Sequence, residues 1–339
     1  MRVLITGSTG FIGANLALVL ANNGIKVNAL YRSAQKAKSL HHENINLCKG
    51  DILDPESLKK AVRGCEQVYH IAAFTDVWTK NPEDIYNLNV KGTLNVFDAA
   101  LENNVKDIVF TSTAGVLGPS EGDAVNESTI RTTDYFLEYE RTKAIAEDKV
   151  KLYLEKGLNI RIVNPTRVYG PGLLSKSNSV TIMIDSFNKG KWRIIPGDGK
   201  STGNYVFIDD IVKGHILTME RGKPGERYIL GGDNKNYLEF FNILQEITGR
   251  HHKMLKMPLP IMLSVSFLAM ALNKMFGIKP FITPALVRKF NYNWEISSKK
   301  AVDELGYEIT SLRDGIRETI KWLNEKKFVD RRRNIQDGK

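Results

Sequence analysis

Short apolar runs alternate with longer segments of helical periodicity through the first half of the chain. Six runs of four to seven residues have the length and composition of buried strands. The predicted strands are 2–6, 25–31, 45–48, 67–71, 105–111 and 160–164, and the predicted helices between them are 11–20, 55–62, 84–101 and 135–156. Strands separated by helices indicate a parallel sheet with both faces covered. We therefore expect an α/β fold.

The alternation ends near residue 172. Beyond it the strands and helices are shorter and follow no βα rhythm, with no internal repeat and no low-complexity linker. We predict a nucleotide-binding domain over 1–172, to which a strand and a helix near 203–220 return, and a smaller substrate-binding lobe over 173–325. Residues 326–339 are expected to be a basic, frayed tail. The overall expectation is a Rossmann-type, doubly wound parallel sheet with a smaller C-terminal lobe.

Three glycines, Gly7, Gly10 and Gly13, follow the first strand at the spacing G-x-x-G-x-x-G. Gly7 permits a tight turn, Gly10 lets the backbone approach a pyrophosphate, and Gly13 lets the helix pack close to the strand. The unpaired N–H groups and the dipole of the helix N-terminus attract phosphate. A strand, a glycine turn and a helix in this order predict a dinucleotide-binding loop.

The end of the second strand bears on the choice of cofactor. An NAD site has an Asp or Glu there to bind the ribose 2′-OH, whereas this chain has Arg32. A guanidinium binds a 2′-phosphate, so NADP(H) is favoured; the alternative is that Arg32 is an ordinary exposed arginine and NAD(H) binds. After the third strand, Asp51 is placed to accept from an adenine amino group, with Ile52 against the ring. A turn-stabilising role for Asp51 is equally compatible with the sequence.

Composition narrows the function classes. The net charge is +10, but Lys and Arg are spread along the chain outside the tail, without the aromatic interleaving typical of nucleic-acid binding. Cys48 and Cys65 cannot form a disulfide framework and lack metal-ligand spacing, which favours a reducing compartment and no metal site. A strand that starts at residue 2 leaves no room for a signal peptide, so the expected location is the cytoplasm.

One segment raises the question of a membrane. Residues 261–272 form a run of twelve without charge, whereas a spanning helix needs about twenty residues. We expect a buried helix of the second lobe and no transmembrane segment. A surface that meets an apolar substrate or the bilayer interface is the alternative.

The candidate chemistry lies after the fifth strand. Thr113 follows that strand at the sheet edge where open α/β sheets bind ligands. Tyr139 and Lys143 are four apart in the next helix and therefore share a face. Asn89 lies inside a predicted helix. Because asparagine has a poor helix propensity, we expect its side chain to form a hydrogen bond outside that helix. His70 lies within a strand, and we expect it to be structural.

These features together resemble the extended short-chain dehydrogenase/reductase family, which is the NAD-dependent epimerase/dehydratase family. The matching motifs, in the family's order, are Thr6-Gly7-x-x-Gly10-x-x-Gly13, Gly50-Asp51-x-x-Asp54, His70-x-Ala72-Ala73, Asn89-Val90-x-Gly92-Thr93, Thr111-Ser112-Thr113, Tyr139-x-x-x-Lys143 and Tyr205-x-x-x-Asp209-Asp210. Arg32 and the segment 164–166 resemble the dihydroflavonol-4-reductase-like branch. The segment 225–232, with Trp78, resembles bacterial proteins of the hopanoid-associated sugar epimerase type.

The resemblance implies roles for the site residues. Tyr139 would be the proton donor, Lys143 would stabilise its phenolate and bond the nicotinamide ribose, and Thr113 would hold the substrate oxygen. Asn89 would complete a proton relay to water. The family's usual serine is replaced by Thr113, which keeps the hydroxyl donor. The positions predicted to contact the cofactor are Gly7, Thr9, Gly10, Phe11, Ile12, Gly13, Arg32, Asp51, Ile52, Ala72, Ala73, Tyr139, Lys143, Pro165 and Val168.

Three functions remain open from the sequence. The first is an NADP-dependent oxidoreductase that reduces a small to mid-sized, fairly apolar aldehyde or ketone. The second is a nucleotide-sugar epimerase or dehydratase with tightly held NAD, whose diphosphate would bind Arg193, Lys200 and Arg227. The third is a non-catalytic dinucleotide sensor, which predicts loss of the Tyr or the Lys, and both are present. The resemblance also implies a homodimer.

Overall fold

A parallel sheet of seven strands forms the centre of the computed structural model, which describes residues 1–174 and 178–336. The strands are β1 (Arg2–Thr6), β2 (Lys26–Tyr31), β3 (Ile45–Lys49), β4 (Gln67–His70), β5 (Asp107–Thr111), β6 (Asn159–Pro165), β7 (Arg167–Tyr169), β8 (Ile194–Pro196), β9 (Thr202–Phe207), β10 (Arg227–Leu230), β11 (Asp233–Asn236) and β12 (Leu255–Met257). The large sheet has the order β10-β6-β5-β4-β1-β2-β3, and all its neighbours are parallel. This arrangement confirms the predicted α/β, Rossmann-type fold.

Helices cover both faces of this sheet. They are α1 (Phe11–Asn22), α2 (Ala34–Ala37), α3 (Pro55–Val62), α4 (Pro82–Tyr86), α5 (Gly92–Glu102), α6 (Glu138–Glu155), α7 (Ser179–Asn188), α8 (Ile208–Arg221), α9 (Tyr237–Thr248), α10 (Leu259–Phe276), α11 (Pro284–Lys289), α12 (Lys299–Leu305) and α13 (Leu312–Gln336). A π-helical turn, Asn87–Lys91, joins α4 to α5 where the sequence predicts one uninterrupted helix over 84–101.

Alternate residues of β1 enter two different cores, as the two-residue period of a strand requires. Val3 and Ile5 contact a core that includes side chains of α1 and α8, whereas Leu4 contacts a core that includes side chains of α3, α5 and α6. The first core continues into the C-terminal lobe, where Phe240 and Phe241 are members. Because the two parts share one core, the C-terminal lobe is an extension of the nucleotide fold.

The strand that returns to the large sheet differs from the predicted one. The expected strand near 203–207 is β9, which pairs with β7 and β11 in a separate three-stranded sheet. The returning elements are α8 and β10, and β10 pairs in parallel with β6. The strand β7 follows β6 directly and pairs in parallel with β9. Short apolar runs have similar patterns whichever sheet edge they join, so the sequence does not distinguish these pairings.

Helix α10 corrects the expectation of a buried helix over 261–272. Only Met262, Ser266 and Ala269 are buried along its length. It is the one described helix whose length and composition would permit a membrane span. Its buried face packs against its neighbour α11, and most of its circumference remains exposed.

The last helix extends further than expected. Helix α13 continues to Gln336, so residues 326–336 have helical backbone where the sequence predicts a separate tail. The final residues of that predicted tail, 337–339, lie outside the described residues.

Candidate active site

The glycine loop lies between β1 and β4, where the strand order of the sheet reverses and open α/β sheets bind ligands. Gly7 has φ of +70°, and a side chain there would lie 2.7 Å from the backbone nitrogen of Ala72. A methyl group at Gly13 would lie 2.2 Å from the carbonyl oxygen of Gly7. Gly10 caps α1 without a side-chain hydrogen bond, so the first N–H groups of the helix remain available. The loop has the shape of an anion cradle.

The residues next to these glycines differ in their exposure to solvent. Thr9 and Ile12 are partly exposed beside the loop, whereas Phe11 is buried in the core. A contact between Phe11 and a cofactor would therefore be limited to its backbone N–H, and a contact through its side chain is excluded. The Ser8 hydroxyl donates to the Leu30 carbonyl oxygen over 2.8 Å and fixes the loop to β2.

Arg32 and Asp51, two of the predicted cofactor residues, lie beside each other. Their side chains are 3.5 Å apart, and the Arg32 side chain is 65% exposed. The second carboxylate oxygen of Asp51 accepts from the Leu53 amide over 3.0 Å, so its turn-stabilising role is present. Ile52 is buried and packs against Gly92. Its side chain is thus mainly a core contact, and its contact with an adenine ring stays a prediction.

Four more predicted cofactor positions follow the ends of β4 and β6. Ala72 and Ala73 lie in the loop after β4 and are partly exposed. Pro165 ends β6 and is buried, whereas Val168 lies in β7 and is half-buried. Parallel strands place their carboxyl ends at one edge, so these residues are on the same edge of the sheet as the glycine loop.

Tyr139 and Thr113 come together at this edge. Tyr139 lies in the first turn of α6, and Thr113 precedes the short helical turn after β5. Burial raises the pKa of Tyr139, and a hydrogen bond with the Thr113 side chain acts in the opposite direction. A raised pKa keeps the phenol protonated at neutral pH. The neighbouring Ser112 is buried, so Thr113 is the hydroxyl that meets the tyrosine.

Lys143 lies one turn after Tyr139 and is fully buried. Its Nζ is 4.1 Å from the centre of the Phe110 ring and has no hydrogen-bond partner among the described residues. Burial lowers the pKa of Lys143 to about 7, and the Glu147 carboxylate opposes part of that shift. An ammonium without acceptors is costly in a protein interior, so the site lacks hydrogen-bond acceptors that a ligand would supply.

Asn89 does not contact Lys143. Its Oδ1 accepts from the Phe74 amide over 2.7 Å, and its Nδ2 donates to the Phe74 carbonyl oxygen and to Thr142 Oγ1. Its backbone carbonyl oxygen accepts from the Thr93 hydroxyl over 2.7 Å. Asn89 thus has no direct hydrogen bond to Lys143 among the described residues, and its place in a relay through water stays a prediction. Asn89 instead holds the loop after β4 in place from within the π-helical turn, a kind of distortion that is frequent at functional sites.

His70 is structural, as its position within a strand indicates. Its Nδ1 pairs with the Thr6 hydroxyl at 2.7 Å, and its Nε2 pairs with the Thr93 hydroxyl at 2.9 Å. Burial lowers the pKa of His70 well below its ordinary value. The neutral ring therefore ties β1 and β4 to α5 beneath the site.

Sequence reasoning did not assign a role to Glu147. This buried carboxylate accepts from Asn164 over 2.8 Å and pairs with Arg227 of β10 at 2.9 Å. Burial raises the pKa of Glu147, and Arg227 acts in the opposite direction. The fourfold spacing of Tyr139, Lys143 and Glu147 was a signal for its position, but nothing in the sequence indicated the partner on β10.

Sequence reasoning also assigned no role to a second buried carboxylate, that of Glu140. Glu140, next to Tyr139, accepts from Lys289 of α11 over 2.6 Å and lies 3.5 Å from Arg131. Its side chain packs against Gly115, whose amide donates to the Thr113 hydroxyl over 3.1 Å. This cluster joins the C-terminal lobe to the turn that carries Thr113.

Arg227, one of the three residues predicted to bind a sugar diphosphate, is engaged by a carboxylate. Arg227 lies in the seventh strand of the large sheet and pairs with Glu147. It therefore does not join Arg193 and Lys200 in the C-terminal lobe, which corrects that expectation. Within residues 1–174 and 178–336, no three His, Cys, Asp or Glu side chains form a group that would hold a metal ion.

The residues at the sheet edge fit a nicotinamide dinucleotide. The glycine loop leaves room for a pyrophosphate that any larger side chain would block, and the Lys143 ammonium lacks the acceptors that ribose hydroxyls provide. Tyr139 and Thr113 are neighbours at this edge, where both hydroxyls could bond to one substrate oxygen. These are the parts of a hydride-transfer site.

Comparison with known proteins agrees with this geometry. The chain is 31% identical over 335 residues to sterol demethylase protein B of Methylococcus capsulatus, an alignment that covers 97% of this chain and all of the relative. It is 28% identical over 344 residues to cinnamoyl-CoA reductase 1 of Petunia hybrida, covering 96% and 92% of the two chains. The solved structure of UDP-glucose 4-epimerase from Thermotoga maritima has a TM-score of 0.80 at 23% identity, covering 96% of this chain and 99% of that one.

Residues 3–231 match the model of the NAD dependent epimerase/dehydratase family, which is more than half of the chain. Both the dinucleotide loop and the Thr113, Tyr139 and Lys143 group fall within the matched residues. The chain therefore belongs to the NAD dependent epimerase/dehydratase family, whose members are enzymes of the extended short-chain dehydrogenase/reductase type.

Proposed function

We propose that this protein is an NADP-dependent reductase of a fairly apolar aldehyde or ketone, with Tyr139 as the proton donor. The observation that carries the proposal is the arrangement of three side chains: Tyr139 in the first turn of α6, Thr113 beside it after β5, and the buried, unpartnered Lys143 one turn further along the helix. A bound nicotinamide would supply the hydride. The protein would supply the proton and the groups that stabilise negative charge on the substrate oxygen.

The Tyr139 phenol is protonated at neutral pH, because burial raises its pKa, and it can therefore act as the proton donor of a reduction. A protonated phenol is available to donate to an oxygen on which negative charge develops, and Thr113 keeps that oxygen in line through a second hydrogen bond. Lys143 acts after the proton has left, because its positive charge stabilises the resulting phenolate. Glu147, held by Asn164 and Arg227, keeps a negative charge near Lys143 and so favours its protonated form.

Arg32 supports the preference for NADP. Its guanidinium follows β2, is mostly exposed, and is held by a single long contact to Asp51. It is therefore free to bind a 2′-phosphate with two N–H groups. An acidic residue, which would bind the 2′-OH of NAD and repel that phosphate, is absent from this position.

Two observations support an apolar carbonyl substrate over a nucleotide sugar. Arg227 pairs with Glu147 at the large sheet, so one of the three candidate residues for a sugar diphosphate already has an anionic partner. Relatives that align over nearly the whole chain have names of reductase and sterol-related proteins. The solved epimerase is similar in fold, and at 23% identity it does not favour an epimerase reaction for this chain.

We infer further that the protein acts as a homodimer in the cytoplasm. The dimer is implied by the family, and the two free cysteines, Cys48 and Cys65, are compatible with a reducing compartment. Light scattering after gel filtration measures the mass. A monomer over the whole accessible concentration range would contradict the dimer.

The test is an assay of purified protein with NADPH and a panel of aldehydes and ketones of increasing hydrophobicity. We expect net NADPH consumption with at least one aromatic or polycyclic carbonyl compound. Conversion of a nucleotide sugar to its epimer, with no net change in NADPH absorbance, would contradict the reductase. Cofactor binding without turnover of either substrate class, equal in wild type and in Tyr139→Phe, would favour a sensor.

A further inference from the structure

An exposed apolar stripe runs the length of α10. Ile261, Val265, Leu268, Leu272 and Met275 follow one another at spacings of four and three and therefore share one face of the helix. All five are exposed, Met275 to 71%, and the buried Met262, Ser266 and Ala269 occupy another face. We call these five residues the α10 stripe. Soluble monomers rarely leave such a continuous apolar surface open to water.

The apolar surface continues beyond the helix. Phe276, Ile278 and Phe281 follow the stripe and are exposed, Phe281 to 79%. Ten of the 23 exposed large apolar side chains among the described residues fall between Leu255 and Phe281. Apolar exposure in this protein is therefore concentrated on one segment rather than scattered over its surface.

The charge around this surface has one sign. Between Glu246 and Glu295 the chain contains no Asp or Glu and seven Lys or Arg residues. Lys253 and Lys256 precede α10 and Lys274 lies in its last turn, and all three are exposed. None of the three forms an ion pair within the described part of the chain. Apolar side chains bordered by unpaired lysines complement the interface of a bilayer that contains anionic lipids.

Both ends of α10 are attached to the fold. Before it, β12 pairs in parallel with β8. After it, Lys279 pairs with Asp76 at 2.6 Å. Because the buried face of α10 also packs on the protein, the helix lies along the surface, and crossing a membrane would require it to leave these contacts.

The attachment of Lys279 also locates the stripe relative to the active site. Asp76 belongs to the loop after β4, in which the Phe74 backbone is held by Asn89. This loop follows Ala72 and Ala73 at the cofactor edge of the sheet. The segment that follows α10 therefore contacts a loop on the cofactor side of the sheet.

We propose that the α10 stripe, with Phe276, Ile278 and Phe281, binds the surface of an anionic lipid bilayer, with Lys253, Lys256 and Lys274 contacting the lipid headgroups. The helix lies in the interface plane, with its apolar side chains among the upper acyl chains. This inference depends on the surface of the protein alone, and its test is independent of the reductase reaction.

The test is flotation of the full-length protein with phosphatidylcholine vesicles, with and without phosphatidylserine. We expect binding that increases with phosphatidylserine and decreases in high salt, because screening weakens the lysine contacts. The double variant Leu268→Glu and Met275→Glu is expected to lose vesicle binding at least tenfold. The charge variant Lys253→Glu and Lys256→Glu is expected to lose the phosphatidylserine dependence.

The matched control is Ile130→Glu, which places the same charge on an isolated apolar residue that is 86% exposed. It is expected to bind vesicles as the wild type does. Thermal unfolding of each variant checks that the exposed substitutions leave the fold intact. Because the two double variants alter different residues, misfolding of one still leaves the other as a test.

Three results would overturn the proposal. The first is failure of the wild type to bind either kind of vesicle at low salt. The second is an oligomer that does not bind vesicles and that the double variant Leu268→Glu and Met275→Glu dissociates, which would assign the stripe to a second copy of the chain. The third is resistance of the membrane-bound protein to extraction by alkaline carbonate, which would indicate a spanning helix.

Discussion

The Lys143 ammonium lies 4.1 Å from the centre of the Phe110 ring, on the last residue but one of β5. The ring face offers a weak electrostatic partner, and the buried Nζ has no hydrogen-bond acceptor among the described residues. A buried charge without acceptors lowers the free energy of unfolding of the cofactor-free protein. Unfolding experiments can measure this effect.

We predict that Lys143→Met stabilises the cofactor-free protein, most strongly near neutral pH. Burial lowers the pKa of Lys143 from 10.5 to about 7, so the unfolded chain binds more protons than the folded one between those values. Stability therefore rises with pH across that window. The advantage of Lys143→Met in the free energy of unfolding should shrink by up to about 3 kcal/mol between about pH 7 and about pH 9.5.

Urea unfolding of the cofactor-free protein at the two pH values measures this change. Lys151→Met is the matched control, since Lys151 lies on the exposed side of the same helix. An equal effect of Lys143→Met at both pH values would mean that the ammonium is not desolvated as the structure indicates.

Tyr139→Phe removes only the hydroxyl that pairs with Thr113. We expect kcat/KM for carbonyl reduction to fall at least about 100-fold, because the proton donor is lost, while the Kd of NADPH stays within about twofold of wild type. Stopped-flow assays and fluorescence titration with NADPH measure the two quantities. Tyr135→Phe, four residues earlier and before the start of α6, is the control. Full activity of Tyr139→Phe would remove the proposed proton donor.

Arg32→Ala tests the cofactor preference. If the guanidinium binds the 2′-phosphate, the Kd of NADPH rises about tenfold or more and the Kd of NADH changes little. Isothermal titration with both cofactors makes the comparison, and Lys36→Ala serves as a nearby control for loss of positive charge. A parallel change in both affinities would indicate that Arg32 has no specific role, and NAD would then be the expected cofactor.

Lys289→Met tests the link between the C-terminal lobe and the catalytic turn. It leaves the Glu140 carboxylate buried without its closest cation, so the free energy of unfolding should fall by about 3 kcal/mol. Adding Glu140→Gln removes the buried charge, which only Arg131 would still compensate, and should recover much of this loss. Urea unfolding of the two single variants and the double variant provides the cycle. Additive losses would mean that the pair is not coupled.

Much of the site could be predicted because its determinants are local. The glycine spacing over residues 7–13 and the four-residue interval from Tyr139 to Lys143 depend only on turn geometry and helical period. The sequence also shows which predicted strand precedes each site residue. The carboxyl ends of parallel strands lie at one edge of the sheet, so residues that follow different strands come close together there. This is why Thr113 and Tyr139, 26 positions apart, could be expected to meet.

The errors have one physical cause. Glu140 meets Lys289 and Glu147 meets Arg227 across 149 and 80 positions of sequence, and no periodicity connects such residues. The exposed α10 was predicted to be buried because an apolar run has the same composition in a core as on a surface. The strand that completes the large sheet was misplaced for the same reason.

The sequence by itself determined the parallel α/β architecture and the dinucleotide loop, because strand and helix periods and glycine conformations are properties of neighbouring residues. The resemblance to a known family added Tyr139, Lys143 and Thr113 as the predicted catalytic residues. Only the tertiary structure decided that Asn89 holds the loop after β4 and that the buried carboxylates of Glu140 and Glu147 connect α6 to distant segments. It also decided that α10 exposes its apolar side to solvent. Those properties depend on which distant segments pack together, and packing is set by the shape of the whole chain.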